Sequence, residues 1–429
     1  MGAENLIRKE RIHLYSPCAD VCAVSVFNQK ISKEKLWSAI ENAVAHHQIL
    51  NSRVKVNADG NAYLEADDMT PRIKIVVYNT ELSEMIREQE KIPFSLKEGE
   101  TIRFFLREKS IKTELLVIAH HVVCDGNSLM RFMRDILLSL NEQPVSMQNI
   151  RLMQPTDLPK HAGLNLGLKL GIRHLNHRWK RSGMIFSKED YQRMFEKYCS
   201  TSNSELMIQK IEGKAFHQLQ RAAHEHGISV NSLVLTGLSA FMDKKESLGI
   251  AVDMRPENIA GMGNFATGVS VEADYSEAES FWSNAKRLHE NIQKKLEKSR
   301  DLCFLSDFMG ELDQTLVDSM WFVRYGEYKN PVSDAVCKMC GYVENPVGIS
   351  TTNLKMIEMP DAPEWKYRYE ELFFVPPYIP NVRSVIGFSS FADAMTLVLH
   401  TTQGRRTMNE QKAFEQAVQL LIEKVKCFA

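Results

Sequence analysis

The stretch His120-His121-Val122-Val123-Cys124-Asp125-Gly126 decides how this chain is read. It follows Leu115-Leu116-Val117-Ile118-Ala119, a run apolar at every position. A strand buried on both faces has that composition, so the sequence predicts a central strand over 113–120. Leu129, Phe132, Met133, Ile136, Leu137 and Leu140 come next, spaced as one face of a helix. Two adjacent histidines thus stand where a buried strand ends and a helix begins. Successive strand residues point to opposite faces, so one histidine can face a cavity while the other packs behind it. Gly126 permits a tight turn that a side chain would obstruct.

Outward from this junction the pattern continues. Leu36, Ile40, Val44 and His47 recur at helical spacing and predict a helix over 36–48. Ala58-Asp59-Gly60-Asn61 reads as the turn of a hairpin joining 53–57 to 62–66. A strand over 101–108 turns at Lys109-Ser110 into the buried strand. Residues 141–187 break the rhythm with Pro144, Pro155 and Pro159 and a basic stretch from Lys160 to Arg181, which reads as a crossover. Helices over 213–226 and 231–245, a strand over 248–253, strands over 388–391 and 395–401, and a helix over 410–426 follow. Strands and helices mixed in both halves predict two α/β lobes of similar size. The division expected is 1–160 for the first lobe, 161–190 for the linker and 191–429 for the second.

Composition narrows the function. With 53 Lys+Arg against 54 Asp+Glu over 429 residues, the formal net charge is −1. That balance argues against a polybasic nucleic-acid binder. Hydrophobic residues make up 44% and charged residues 25%, as in a globular protein with a sizeable core. No stretch reaches the ~18 consecutive apolar residues of a membrane span. The first ten residues are polar and lack the apolar centre of a signal peptide, so a cytoplasmic location is expected. Eight scattered cysteines fit reduced thiols, and Cys337 and Cys340 form a CxxC without a second pair. A zinc site at the histidines lacks third and fourth ligands at helical spacing. The basic residues Lys169, Arg173, Arg178, Lys180 and Arg181, and those at 285–300, read as solvated helix faces. Their functional alternative is contact with an anionic membrane surface or a carrier protein.

The junction resembles the HHxxxDG motif of the CoA-dependent acyltransferase superfamily, which includes peptide-synthetase condensation domains and alcohol acetyltransferases. Other segments extend the resemblance. His47, Leu50 and Arg53 resemble its early helix and strand; Pro93-Phe94-Ser95-Leu96 with Ile102-Arg103 resemble its "PFdl…lR" run. Val252-Asp253-Met254-Arg255-Pro256 with Gly263-Asn264-Phe265 resemble "vDxRp…GNf", and Thr351-Thr352-Asn353-Leu354 resemble a late "SNlG" element. In place of that element's glycine this chain has Leu354 or Lys355.

The resemblance implies two chloramphenicol-acetyltransferase-like lobes, arranged as a V-shaped pseudo-dimer with a tunnel at their interface. It implies transfer of an acyl group from a coenzyme A or phosphopantetheine thioester to a small hydroxyl or amine acceptor. No acyl-enzyme, metal or bound cofactor is implied, and an acyl-carrier protein or peripheral membrane contact is a possible partner. His121 would be the general base, an imidazole being suited to proton transfer near neutral pH. His120 and Gly126 would complete the motif. Asp125 would hold the loop by pairing with Arg255 instead of orienting His121 as in a protease triad. Thr351, Thr352 and Asn353 are candidate oxyanion donors or tunnel residues. Asn264 would cap or hold a loop, with an oxyanion or tunnel role as its alternative, and Cys124 would be a buried filler. The alternatives are a stand-alone condensation protein using carrier-bound thioesters and a non-catalytic scaffold on the same fold.

Overall fold

A computed structural model describes residues 5–66, 73–154, 157, 163–242, 246–344, 346, 348–402 and 407–428. Pro155, Pro159, Lys160 and the expected helix end at Lys245 lie outside the described residues. Two sheets dominate. The first contains β1 (Asp20–Phe27), β4 (Ile75–Val77), β5 (Ile102–Glu108), β6 (Thr113–His120) and β11 (Tyr369–Val375), in the order β11-β1-β6-β5-β4. The second contains β7 (Ser204–Glu212), β8 (Ser247–Asp253), β9 (Ala266–Glu272), β10 (Ile349–Met356), β12 (Ser384–Phe391) and β13 (Ala394–Thr402), in the order β7-β13-β12-β10-β8-β9. The hairpin of β2 (Ser52–Val56) and β3 (Ala62–Ala66) pairs as its turn residues predict.

The predicted central strand is central. All eight residues of β6 are buried, between antiparallel β1 and β5. Burying a Leu, Ile or Val side chain contributes ~1.5–3 kcal/mol, so Leu115 to Ile118 anchor this sheet. Against it pack α2 (Lys33–Ala45) and α4 (Gly126–Leu140), with Leu129, Phe132, Met133, Ile136, Leu137 and Leu140 all buried. Between these helices His47 Nε2 meets Asp135 Oδ2 at 2.8 Å, both buried. Two short helices, α1 (Arg11–Leu14) and α3 (Leu82–Gln89), complete the N-terminal part. The buried Arg11 fixes α1 by donating from Nε to Asp318 Oδ1 at 2.6 Å.

Beyond α4 the crossover contains α5 (Leu166–Lys180), of which only Ile172 and Trp179 are buried, and α6 (Lys188–Thr201). The solvated face expected of the basic stretch is therefore present. The second sheet is covered by α7 (Gly213–Glu225), α8 (Val230–Ser239), α9 (Phe281–Leu296) and α13 (Thr407–Val425). The helix expected over 231–245 ends six residues early, at Ser239, and the one expected over 285–300 breaks between α9 and α10 (Ser299–Glu311). Then come α11 (Gln314–Arg324) and α12 (Pro331–Met339).

The cores do not follow the division of the sequence. Phe308 of α10, Leu316 and Trp321 of α11, Val336 of α12 and Phe374 of β11 belong to the first core, although all lie beyond residue 190. The crossover separates two runs of sequence, and the chain later returns to the first lobe.

Candidate active site

The end of β6 meets the loops around β8, β9 and β10 across a cavity of about 590 Å³. His121, Asp125 and Gly126 line it from the first lobe; Thr352, Asn264 and Gly249 line it from the second. His121 is half-buried and held at both ends. Its backbone N–H donates to Ala19 O at 2.8 Å, and its ring Nδ1 lies 2.8 Å from Cys124 O. A carbonyl only accepts, so Nδ1 carries the proton and Nε2 keeps the free lone pair. Burial pulls the imidazole below its usual pKa, against the opposing pull of the Cys124 carbonyl and Asp125.

Asp125 caps α4 by accepting from Ser128 N at 2.7 Å, and it accepts from Phe265 N at 2.8 Å. Arg255 Nη2 stands 3.5 Å from the same carboxylate, with its guanidinium over the Phe265 ring at 4.3 Å. Arg255 also donates to Gly261 O at 2.6 Å and to Ser128 Oγ. The carboxylate is therefore occupied in tying α4 to the 253–265 loop, and the ring of His121 is oriented by a carbonyl instead.

Gly126 begins α4 with no left-handed backbone. The constraint there is space: a Cβ would come within 2.9 Å of Leu354 Cδ2. The tight-turn expectation is thus replaced by a close approach between the two motifs. At Gly263 the approach is to backbone, 2.8 Å from Arg151 O.

Asn264 is buried and donates from Nδ2 to His121 O at 3.0 Å, while its Oδ1 accepts from Ala266 N at 3.2 Å. It ties the loop to the histidine itself, a closer link than loop-holding alone. Of the late motif, only Thr352 reaches the cavity. Thr351 is buried and donates to Gly249 O at 2.9 Å; Asn353 contacts Asn231 and accepts from Lys355 N at 2.7 Å. Alternation along β10 separates them.

His120 is buried and lines a different cavity from His121. Cys124 is fully buried, and burial pushes its thiol well up, which removes thiolate reactivity. Burial pushes the thiols of Cys337 and Cys340 up to about 12. Among the described residues, no group of three or more His, Cys, Asp or Glu is placed to hold a metal ion.

His13, on the one-turn α1, escaped the sequence reading. Its ring lies 4.1 Å from that of His121, centroid to centroid, and it lines the same cavity. Burial, then the two neighbouring histidines, push its pKa well down, so it packs as a neutral ring. At the far side, Lys295 lines the cavity, and Lys294, Lys295 and Lys298 line an adjoining cleft that shares Ser247 and Ser270 with it. Among the described residues no helix is long and apolar enough to cross a membrane.

No protein-family profile matches the sequence, and no curated protein matches it. Solved structures do. Polyketide synthase associated protein 5 from Mycobacterium tuberculosis aligns over 99% of this chain and 99% of its own, at 15% identity and a TM-score of 0.61. A trichothecene 15-O-acetyltransferase from Fusarium sporotrichioides aligns over 97% of this chain and 94% of its own, at 14% identity and a TM-score of 0.65. The first condensation domain of the calcium-dependent antibiotic synthetase aligns over 100% and 98%, at 12% identity and a TM-score of 0.63. The chain therefore has the two-lobed, mixed α/β fold that condensation domains share with an acetyltransferase. At these identities the likeness is one of fold.

Proposed function

We propose that this protein is an acyltransferase that moves an acyl group from a thioester to a hydroxyl or amine, with His121 as general base. The observation that carries this reading is the 2.8 Å contact of His121 Nδ1 with Cys124 O: a carbonyl only accepts, which leaves Nε2 as the basic atom of a half-buried ring on a cavity between the lobes. In the reaction, Nε2 takes the acceptor's O–H or N–H proton as that atom attacks the thioester carbonyl carbon. A tetrahedral oxyanion forms. It collapses with cleavage of the C–S bond, and the imidazolium returns its proton to the departing thiolate. Thr352, on the same cavity, is the candidate hydroxyl donor to the oxyanion; loss of one such donor typically costs ~10²–10³ in rate. The test is thiol release from acyl-CoAs of several lengths against pooled alcohols and amines. An absence of acceptor-dependent release would count against the reading.

The pH profile follows from the burial of His121. Neutral imidazole is the active base, and burial favours the neutral form. The acid limb of kcat/KM is expected to have its midpoint below 6.5, so activity persists where an exposed histidine would already be protonated. A midpoint above 6.5 would contradict this assignment.

Coenzyme A is the favoured donor over a carrier protein, on the strength of Lys294, Lys295 and Lys298 in the cleft adjoining the cavity, which outnumber Glu272 and Asp274 there although Lys295 pairs with Asp301 at 3.3 Å. Exposed cations contribute ~0.2–1 kcal/mol each to pairing with an anion. Replacing all three by alanine should raise KM for an acyl-CoA about tenfold, with kcat little changed. A truncated pantetheine thioester, which lacks the nucleotide phosphates, should not register the change. If carrier-loaded thioester turns over and free acyl-CoA does not, the protein is instead a stand-alone condensation protein. Contact of the basic face of α5 with an anionic membrane is a separate proposal, read as liposome binding that weakens with salt.

A further inference from the structure

The one-turn α1 is held more firmly than its length alone would allow. Beside its bond to Asp318, Arg11 donates from Nη2 to Gly60 O at 2.8 Å. Trp321 Nε1 donates to Ile12 O at 2.6 Å, and Met153 N–H donates to Glu10 Oε1 at 3.4 Å. Residues 10, 11 and 12 are thus tied to the crossover, to the β2–β3 turn and to α11. The next residue, His13, is the one from α1 that lines the reaction cavity. Among the described residues its ring makes no hydrogen bond; what it meets is the ring of His121.

The two ring centroids are 4.1 Å apart and the planes are tilted by 32°. At this separation an aromatic face attracts a cation lying over it. Burial, then His121 and His120, keep His13 neutral, so it does not repel a charge formed beside it. His121 becomes such a cation when Nε2 takes the acceptor's proton. Its bond from Nδ1 to the Cys124 carbonyl fixes one end of the ring but not the tilt about that bond. The other titratable groups set against the ring are His120 from β6 and Asp125 before α4; from the second lobe comes Asn264, which does not titrate.

We propose that His13 is a positioning residue for the acyl transfer, its neutral ring fixing the tilt of His121 and stabilising the imidazolium that forms there. The role rests on His121 being the general base; the stack does not.

The test removes the ring and keeps its volume. His13→Leu should lower kcat about tenfold, the worth of an ordinary cation–π contact, with KM for donor and acceptor within about twofold. It should also lower the pKa of His121 by about one pH unit, because the preference lost is for the charged ring. That pKa is read without turnover, by NMR titration of protein carrying isotope-labelled histidine, the His121 signal being the one absent from His121→Ala. His13→Phe, which restores a ring face, should recover most of both losses. His13→Met is the second ringless variant should His13→Leu fail to fold. An unmoved His121 pKa and kcat in a folded ringless variant overturn the proposal. So does a His13→Phe as impaired as His13→Leu. A KM for the acceptor that rises tenfold at unchanged kcat also overturns it, by making the ring a substrate contact. If thiol release needs His121 but ignores His13→Leu, the positioning role alone falls. If the pKa falls as expected but no acceptor yields thiol release from wild type, the stack stands and the transferase reading falls.

Discussion

His121→Ala is expected to leave a folded protein whose acyl transfer is slower by ~10²–10⁴, the usual worth of a positioned general base. Its fold survives because the backbone bond from His121 N to Ala19 O does not involve the side chain, and because the ring borders a cavity rather than filling a core. The lost contacts are the bond to Cys124 O and the packing against His13. His121→Asn sharpens the test: its amide can donate to the same carbonyl but offers no base, so it should be as slow as alanine. Thiol release is the readout, with a thermal melt to show that both variants fold. Release within a few-fold of wild type would remove His121 from the chemistry and leave the scaffold reading in its place.

Asp125→Ala should act first on stability. The carboxylate accepts from two backbone N–H groups and faces Arg255, and both side chains are almost fully buried. Removing one member of a buried pair costs ~3–5 kcal/mol, because the other charge is left without compensation. Loss of the α4 cap costs about 1 kcal/mol within the same event. Low soluble yield and a markedly lowered melting temperature are expected. Asp125→Asn retains an oxygen for Ser128 N and should fall between wild type and alanine. In a triad-like role, Asp125→Asn would lose rate by orders of magnitude at unchanged stability; that result would reverse the assignment made to the Cys124 carbonyl.

What the sequence made legible, and what it hid, follows from the range of the forces involved. β6 and α4 were readable because continuous and helix-spaced apolar runs are local signals. The Asp125–Arg255 pairing, 130 positions apart, was expected from the resemblance and is present at 3.5 Å. Other features had no local signature. β11 pairs with β1 across some 350 positions, and neither strand announces its partner. His13 is a lone histidine on a four-residue helix, and only the tertiary fold sets it on His121. The atom that orients His121 is a main-chain carbonyl, which every residue type offers, so side-chain identity could not reveal it. Thr351, Thr352 and Asn353 all offer donors in the sequence, and strand alternation sends Thr352 alone of the three to the cavity.

The return of β11 into the first sheet bears on how the chain matures on the ribosome. Synthesis is vectorial, and β1 emerges with one flank unmatched until residues 369–375 follow. For most of translation, that flank presents unsatisfied amides and carbonyls, a template for wrong partners. Severing the gene at the crossover is therefore expected to yield a first fragment that aggregates unless the second is supplied in trans.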